Sequence, residues 1–138
     1  MNHLFVPYEL AAKLKEKGFD EECFKAYRNS DGEEYLMSLG IWRNGSPHDN
    51  HPEFAAAPLY QQVVEWLRVV HGINILPIEN YRYPDSIMER WKYQIVNKQE
   101  KDRDIFNKKF YIESDFEFNS PQETYSAAFD YILNNNLI

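Results

Sequence analysis

The chain has 138 residues and is poor in cysteine, in glycine and in long apolar runs. Cys23 is its single cysteine, which excludes an intramolecular disulfide and a four-cysteine zinc site and favours a reducing compartment. The longest apolar stretches, such as residues 55–60, fall far short of the ~18 to 20 residues that span a bilayer. Residues 1–7 have neither the basic start nor the apolar core of a secretory signal. We therefore expect a cytoplasmic protein with no membrane segment.

Positive charge is scarce as well. Lys and Arg together number 15 against 22 Asp and Glu, so the formal net charge is −7. Proteins that bind nucleic acid without sequence preference rely on clustered Lys and Arg to neutralise phosphates, so nucleic acid is disfavoured as a partner. Apolar residues reach 43% and aromatic residues 16%, which is enough for a packed interior. The length fits a single domain over residues 1–138.

Three segments carry the signals of helices. The first covers residues 7–17 and is followed by Gly18, a residue suited to the left-handed position after a helix. The second covers residues 58–71 and has the strongest helical periodicity. The third opens with Ser120 and Glu123, which have the spacing of a capping box. The apolar stripes of the last two helices consist of Leu59, Val63, Trp66, Leu67 and Val70, and of Tyr125, Ala128, Phe129, Ile132 and Leu133.

Alternating and β-branched residues predict strands. Pro77 cannot donate a backbone hydrogen bond, so it predicts a sheet edge or a bulge. Phe116 and Phe118 are two residues apart, so we expect both side chains on the buried face of the last predicted strand. We expect an α+β fold in the order α-β-β-α-β-β-(β)-α, with a small antiparallel sheet of four to five strands and three helices packed mainly on one face. The strands are predicted over residues 23–27, 35–42, 73–83, 91–96 and, with a break near Ser114, 110–118.

Three parts of the sequence are similar to a known group of proteins. They are residues 5–15 (FVPYELAAKLK) with 18–24 (GFDEECF), residues 57–68 (APLYQQVVEWLR) with 71–73 (HGI), and residues 125–128 (YSAA). Together they resemble a widespread group of small uncharacterised proteins of Bacteroidetes genomes and their phages and prophages. The resemblance covers nearly the whole chain and implies a cytoplasmic accessory protein of mobile elements. It implies no activity and no catalytic residue.

One loop offers the ligand types of a metal site. His48, Asp49 and His51 supply two imidazoles and a carboxylate, which zinc and related ions use. The alternative is a solvated loop, because the residues around them favour turns and their Asp and Asn side chains make turn bonds. His71 is predicted as a cation at the C-terminal dipole of its helix rather than as a third ligand.

Two groups of residues are candidates for an interaction surface. The polar side of the second helix is either a solvated face or a recognition surface anchored by Arg68. The aromatic residues of the following hairpin are either core or an open platform of the kind that stacks on bases. The helix residues are Gln61, Gln62, Glu65 and Arg68, and the hairpin residues are Tyr81, Tyr83, Trp91 and Tyr93.

The sequence lacks the common motifs of enzymes. It has no glycine-rich phosphate loop, no nucleophile elbow and no helical His-Glu-x-x-His stretch. Cys23 follows three acidic residues that disfavour a thiolate, so we expect it to be a small buried hydrophobe. The resulting hypothesis is a noncatalytic module without a cofactor that binds a protein partner or itself. The alternatives are a small metal-dependent enzyme using His48, Asp49 and His51, and a nucleic-acid-binding module using the hairpin aromatics.

Overall fold

The computed structural model describes residues 4–30, 33–37, 40–44, 54–80, 90–98 and 111–138. Within these ranges the protein has the α+β class and the three helices that the sequence predicts. The chain divides into two compact units, Met1–Trp66 and Leu67–Ile138. No helix in these ranges combines the length and the apolarity that a membrane crossing demands. The elements are α1 (Tyr8–Glu16), β1 (Lys25–Ser30), β2 (Glu33–Met37), β3 (Phe54–Ala57), α2 (Tyr60–His71), β4 (Ile73–Glu79), β5 (Trp91–Asn97), β6 (Tyr111–Glu113) and α3 (Pro121–Asn134).

The strands form two sheets rather than the one predicted. Each is antiparallel and three-stranded, with the orders β2-β1-β3 and β4-β5-β6, so the described chain has six strands instead of four to five. The strand that the prediction missed is β3, a Phe followed by three alanines. Alanine is a weak strand former, but Ala55, Ala56 and Ala57 are at most 4% exposed and pair with β1. Tertiary pairing therefore overrides local preference. The single domain and the packing of helices on one face stay predictions.

The first unit is organised by α1 and the turn that follows it. Helix α1 packs on β3 and buries Leu10 and Leu14. Gly18 has a φ of +92°, and the Phe19 amide donates to the Leu14 carbonyl at 3.0 Å, which confirms the predicted helix end. The Phe19 ring is 1% exposed and packs edge-on against Trp66 at 5.2 Å between centroids. The turn therefore places the Phe19 ring in the core of this unit.

The second unit is built on the β4-β5-β6 sheet and α3. Among the strands that the structure describes, β4 lies at the edge of its sheet, one of the two placements that Pro77 predicts. The amides of Asn80 and Lys98 donate to the carbonyls of Arg90 and Gly72, so the even-numbered residues of β4 face β5 and Pro77 turns its nitrogen to the free edge. Helix α3 packs on β4 and β5. Its buried side chains are Thr124, Ala128, Phe129, Ile132 and Leu133.

The start of α3 confirms the predicted capping residues. The Ser120 hydroxyl accepts from the Glu123 amide at 3.2 Å. The Glu123 carboxylate accepts from the Asn119 amide at 2.9 Å, one residue earlier than the capping-box pattern predicts. Both ends of the motif therefore satisfy backbone donors that have no partner within the helix.

Candidate interaction surface

A β-bulge opposite β5 determines which side chains of the neighbouring segment reach the surface. Glu113 pairs with Gln94, and Phe118 bridges to Trp91, so two residues of β5 lie opposite four residues, 114–117. The Ser114 hydroxyl takes part in the ladder by accepting from the Tyr93 amide at 2.9 Å. This arrangement is a bulge with two extra residues, at the break predicted near Ser114.

The bulge separates two phenylalanines that the sequence places on one face. Phe118 stacks on Tyr93 with 5.9 Å between ring centroids, and Tyr93 is 8% exposed. Phe116 instead lies under the Lys92 ammonium, 4.7 Å from its ring centroid. Residues 92 and 93 of one strand have opposite orientations, so Phe116 contacts the side of the sheet away from Tyr93. The predicted shared face is therefore wrong, because the extra residues change the direction of the chain.

The side of the β4-β5-β6 sheet away from Tyr93 is called here the outer face. Leu76 pairs with Gln94 and Ile78 with Lys92, and paired side chains lie on the same face. Leu76 is 50% exposed, whereas Tyr93 and Ile95 on the inner side are 8% and 0% exposed. The outer face consists of Asn74, Leu76, Ile78, Lys92, Gln94, Val96, Tyr111 and Glu113, with Phe116 beside it.

A polar network occupies the middle of the outer face. The Lys92 ammonium forms an ion pair with the Glu113 carboxylate. The Tyr111 hydroxyl donates to the other Glu113 oxygen at 2.9 Å and accepts from the Gln94 amide. Each side chain thus holds its neighbour in place. A preformed set of hydrogen bonds lowers the entropy that a partner has to remove on binding.

The hydrogen bonds of the network shift the pKa values of two of its groups away from neutrality. Hydrogen bonds from Lys92 and Tyr111 lower the pKa of Glu113 below its ordinary value of 4.5. Partial burial and the bond to Glu113 raise the pKa of Tyr111 above 10.0. At neutral pH the carboxylate is therefore ionised and the phenol protonated. Neither group has a pKa near 7, as an efficient general acid or base has.

The lowered pKa of Glu113 predicts a pH-dependent contribution to stability. A carboxylate with a lowered folded pKa stabilises the fold above its unfolded pKa, and this contribution is lost as the pH falls through the folded value. Glu113→Gln should lower the free energy of unfolding by less than about 1 kcal/mol at pH 7, because the pair is partly solvated. Urea unfolding at pH 7 and pH 3 should show a smaller difference at the lower pH. A difference independent of pH would contradict this role.

Several predicted site residues lie outside the described ranges. These include the proposed metal ligands His48, Asp49 and His51 and the hairpin residues Tyr81 and Tyr83. Among the residues that the structure does describe, no group of three or more His, Cys, Asp or Glu side chains is placed to hold a metal ion. The metal site therefore stays a prediction.

The remaining hairpin residues are more buried than an open platform requires. Tyr93 is 8% exposed and lies among Phe118 and Tyr131, so it belongs to the core and not to a surface. Trp91 is half-buried, and its backbone bonds to that of Phe118. Tyr93 is thus removed from the predicted surface because the inner side of β5 faces the interior.

The polar residues of α2 have different environments. Gln61, Glu65 and Arg68 are exposed. Gln62 is half-buried: its side-chain oxygen accepts from the Leu59 amide at 2.9 Å, and its nitrogen donates to the Glu22 carbonyl at 2.7 Å. Gln62 therefore fixes the start of the helix and the segment before Cys23, which is a structural role.

His71 at the end of α2 differs from its prediction as a cation. Burial lowers the pKa of His71 below its ordinary value of 6.5, which favours the neutral imidazole. The cationic form predicted for His71 is therefore disfavoured by burial of its imidazole.

The outer face was not among the predicted surfaces. The alternation of Lys92, Gln94 and Val96 marks a solvent-facing side of β5, but it does not reveal the register with β4 and β6. Leu76, Tyr111 and Glu113 join the site only through that register. No protein-family model, no curated protein and no solved structure matches this chain.

Proposed function

We propose that the chain is a noncatalytic protein-interaction module that binds a protein partner through the outer face. The observation that carries this proposal is the 50% exposure of Leu76 beside a polar network whose hydrogen bonds are already formed. Apolar side chains that remain in water on a sheet contribute binding energy when a partner covers them. Tyr111 and Phe116 add the aromatic contact area that is enriched at protein interfaces.

The noncatalytic part of the proposal rests on the chemistry of the same face. Its ionisable side chains are engaged with one another, and the pKa shifts of Glu113 and Tyr111 move both away from neutrality. Such a group orients a partner by hydrogen bonds and charge. The family resemblance supports the setting that we propose, a cytoplasmic accessory protein of mobile elements, and leaves the identity of the partner open.

The proposal is tested by capture from a lysate of the host, with quantification of retained proteins by mass spectrometry and of self-association by light scattering. Leu76→Asp should reduce retention of the partner at least about tenfold, since it places a charge in the contact, and about tenfold corresponds to 1.4 kcal/mol. Leu4→Asp is the matched control, because Leu4 is 41% exposed and lies in the other unit. Equal loss in both variants, or a monomer that retains nothing, would overturn the proposal.

A further inference from the structure

A second exposed apolar site lies in the first unit, beside an isolated pair of backbone bonds. The amide of Cys23 donates to the Trp42 carbonyl and the amide of Trp42 to the Cys23 carbonyl, both at 2.7 Å. Cys23 is 1% exposed, whereas Phe24, which follows it, and Ile41, which precedes Trp42, are 65% and 64% exposed. Because the bridge is antiparallel, the residue after Cys23 and the residue before Trp42 leave it at the same end, so the two exposed side chains belong to one site.

Carboxylates border this apolar pair. Glu21 and Glu22 are exposed and precede Cys23 directly. Arg43 donates to the Asp20 carbonyl at 2.6 Å and pairs with the Asp20 carboxylate at 3.3 Å. Lys25, which follows Phe24 directly, lies over the Phe5 ring at 5.0 Å. Glu21 and Glu22, called here the negative rim, thus place two exposed negative charges within three residues of Phe24 along the chain.

The backbone under this site is held firmly. The Gln62 side chain donates to the Glu22 carbonyl at 2.7 Å. Gly40, just before Ile41, has a φ of +91°, a conformation that other residues rarely adopt. These features constrain the backbone on the N-terminal side of Phe24 and of Ile41, and a constrained backbone lowers the ordering cost of binding.

We propose that Glu21, Glu22, Phe24 and Ile41, the Phe24 patch, dock a protein segment in which an apolar side chain is flanked by lysine or arginine. The apolar pair supplies contact area, and the rim supplies charge of the sign that attracts such a segment. Nucleic acid and anionic lipid are repelled by the same rim. The patch lies in the first unit and the outer face in the second, so this proposal goes beyond the function proposed for the outer face.

The experiment is an NMR titration of the ¹⁵N-labelled full chain with the synthetic peptide Lys-Leu-Lys-Leu-Lys. The amide signals of Phe24 and Ile41 should shift, and Phe24→Ser should weaken binding about tenfold. Raising the salt from about 50 to about 500 mM should weaken it several-fold, because exposed charges are screened. The peptides Glu-Leu-Glu-Leu-Glu and Lys-Ser-Lys-Ser-Lys should not produce these shifts. Leu76→Ser is the control that should bind like the natural sequence.

Each contrary result has a distinct meaning. Absence of shifts at Phe24 and Ile41, or equal shifts with the glutamate peptide, overturns the proposal. Shifts confined to the outer face also overturn it while leaving the proposed function intact. If Phe24→Ser loses its fold, as judged by exposure of the Cys23 thiol, Ile41→Ser replaces it, and unchanged affinity in that variant overturns the proposal.

Discussion

Asn44→Ala should lower the free energy of unfolding of the first unit by about 2–4 kcal/mol. Asn44 is 7% exposed and makes two hydrogen bonds to backbone groups. Its side-chain nitrogen donates to the Phe19 carbonyl at 2.9 Å, and its oxygen accepts from the Ala56 amide at 2.8 Å. Alanine leaves both groups buried without these partners. Each unsatisfied group costs about 1–3 kcal/mol, and we expect the lower part of the summed range because water can enter the space that the side chain leaves. The measurement is urea unfolding followed by a probe in the first unit.

Asn44→Asp is the matched control, because it keeps the acceptor for the Ala56 amide and loses the donor to Phe19. At neutral pH its carboxylate faces a carbonyl oxygen in a buried site, so the variant should be about as destabilised as alanine. A protonated Asp can donate again. Its folded pKa is therefore raised, so stability relative to the natural sequence should recover as the pH falls through that raised value, and the recovery should be complete below the unfolded pKa of about 4. If both variants lower the free energy of unfolding by less than 1 kcal/mol, the two hydrogen bonds of Asn44 contribute little to stability.

Cys23 should react with iodoacetamide at pH 8 at least about a thousandfold more slowly than the same residue in a short reference peptide. Burial and the charge of Glu21 raise the pKa of Cys23 from 9.0 to about 12. Three pKa units lower the fraction of reactive thiolate about a thousandfold. The 1% exposure of the residue adds a steric barrier. The pKa of Cys23 is higher in the folded state than in the unfolded state. The contribution of the protonated thiol to stability is therefore complete below pH 9 and is lost as the pH rises further.

The two predictions check each other. Labelling of a buried thiol requires opening of the structure, and in the regime of fast closing its rate follows the free energy of opening. Asn44→Ala should therefore speed the labelling of Cys23 about 30- to 1,000-fold, the factor that corresponds to 2–4 kcal/mol. If Cys23 of the natural sequence is labelled at a rate within tenfold of the rate of the reference peptide, the thiol is accessible, which would contradict the first unit as described.

Two sheet edges each have one position that offers no amide donor to an added strand, which bears on how a partner binds. On β4 the nitrogen of Pro77 faces the free edge and offers no donor. On β3 the Ala56 amide is already bonded to the Asn44 side chain. Edges protected in this way resist pairing with other chains. Both proposals therefore use side-chain surfaces: the outer face of one sheet and the Phe24 patch beside the other.

Features decided within a few residues could be predicted from the sequence. Gly18 ends α1 because only a residue without a side chain enters the left-handed region freely, and Ser120 starts α3 because its hydroxyl reaches an amide three residues on. Pro77 marks an edge because it has no amide hydrogen. The acidic surroundings of Cys23 predict the direction of its pKa, although burial contributes more than charge.

Features that depend on distant pairing were settled only by the tertiary structure. Alanines form β3 because β1 lies beside them, and Asn44 makes its two buried hydrogen bonds only because Phe19 and Ala56 lie on either side of it. The bulge after Ser114 sends Phe116 to the outer face, and the register of three strands assembles the network around Glu113. Local patterns encode the conformation of a few residues, whereas register, burial and surface composition arise from contacts between segments far apart in the chain.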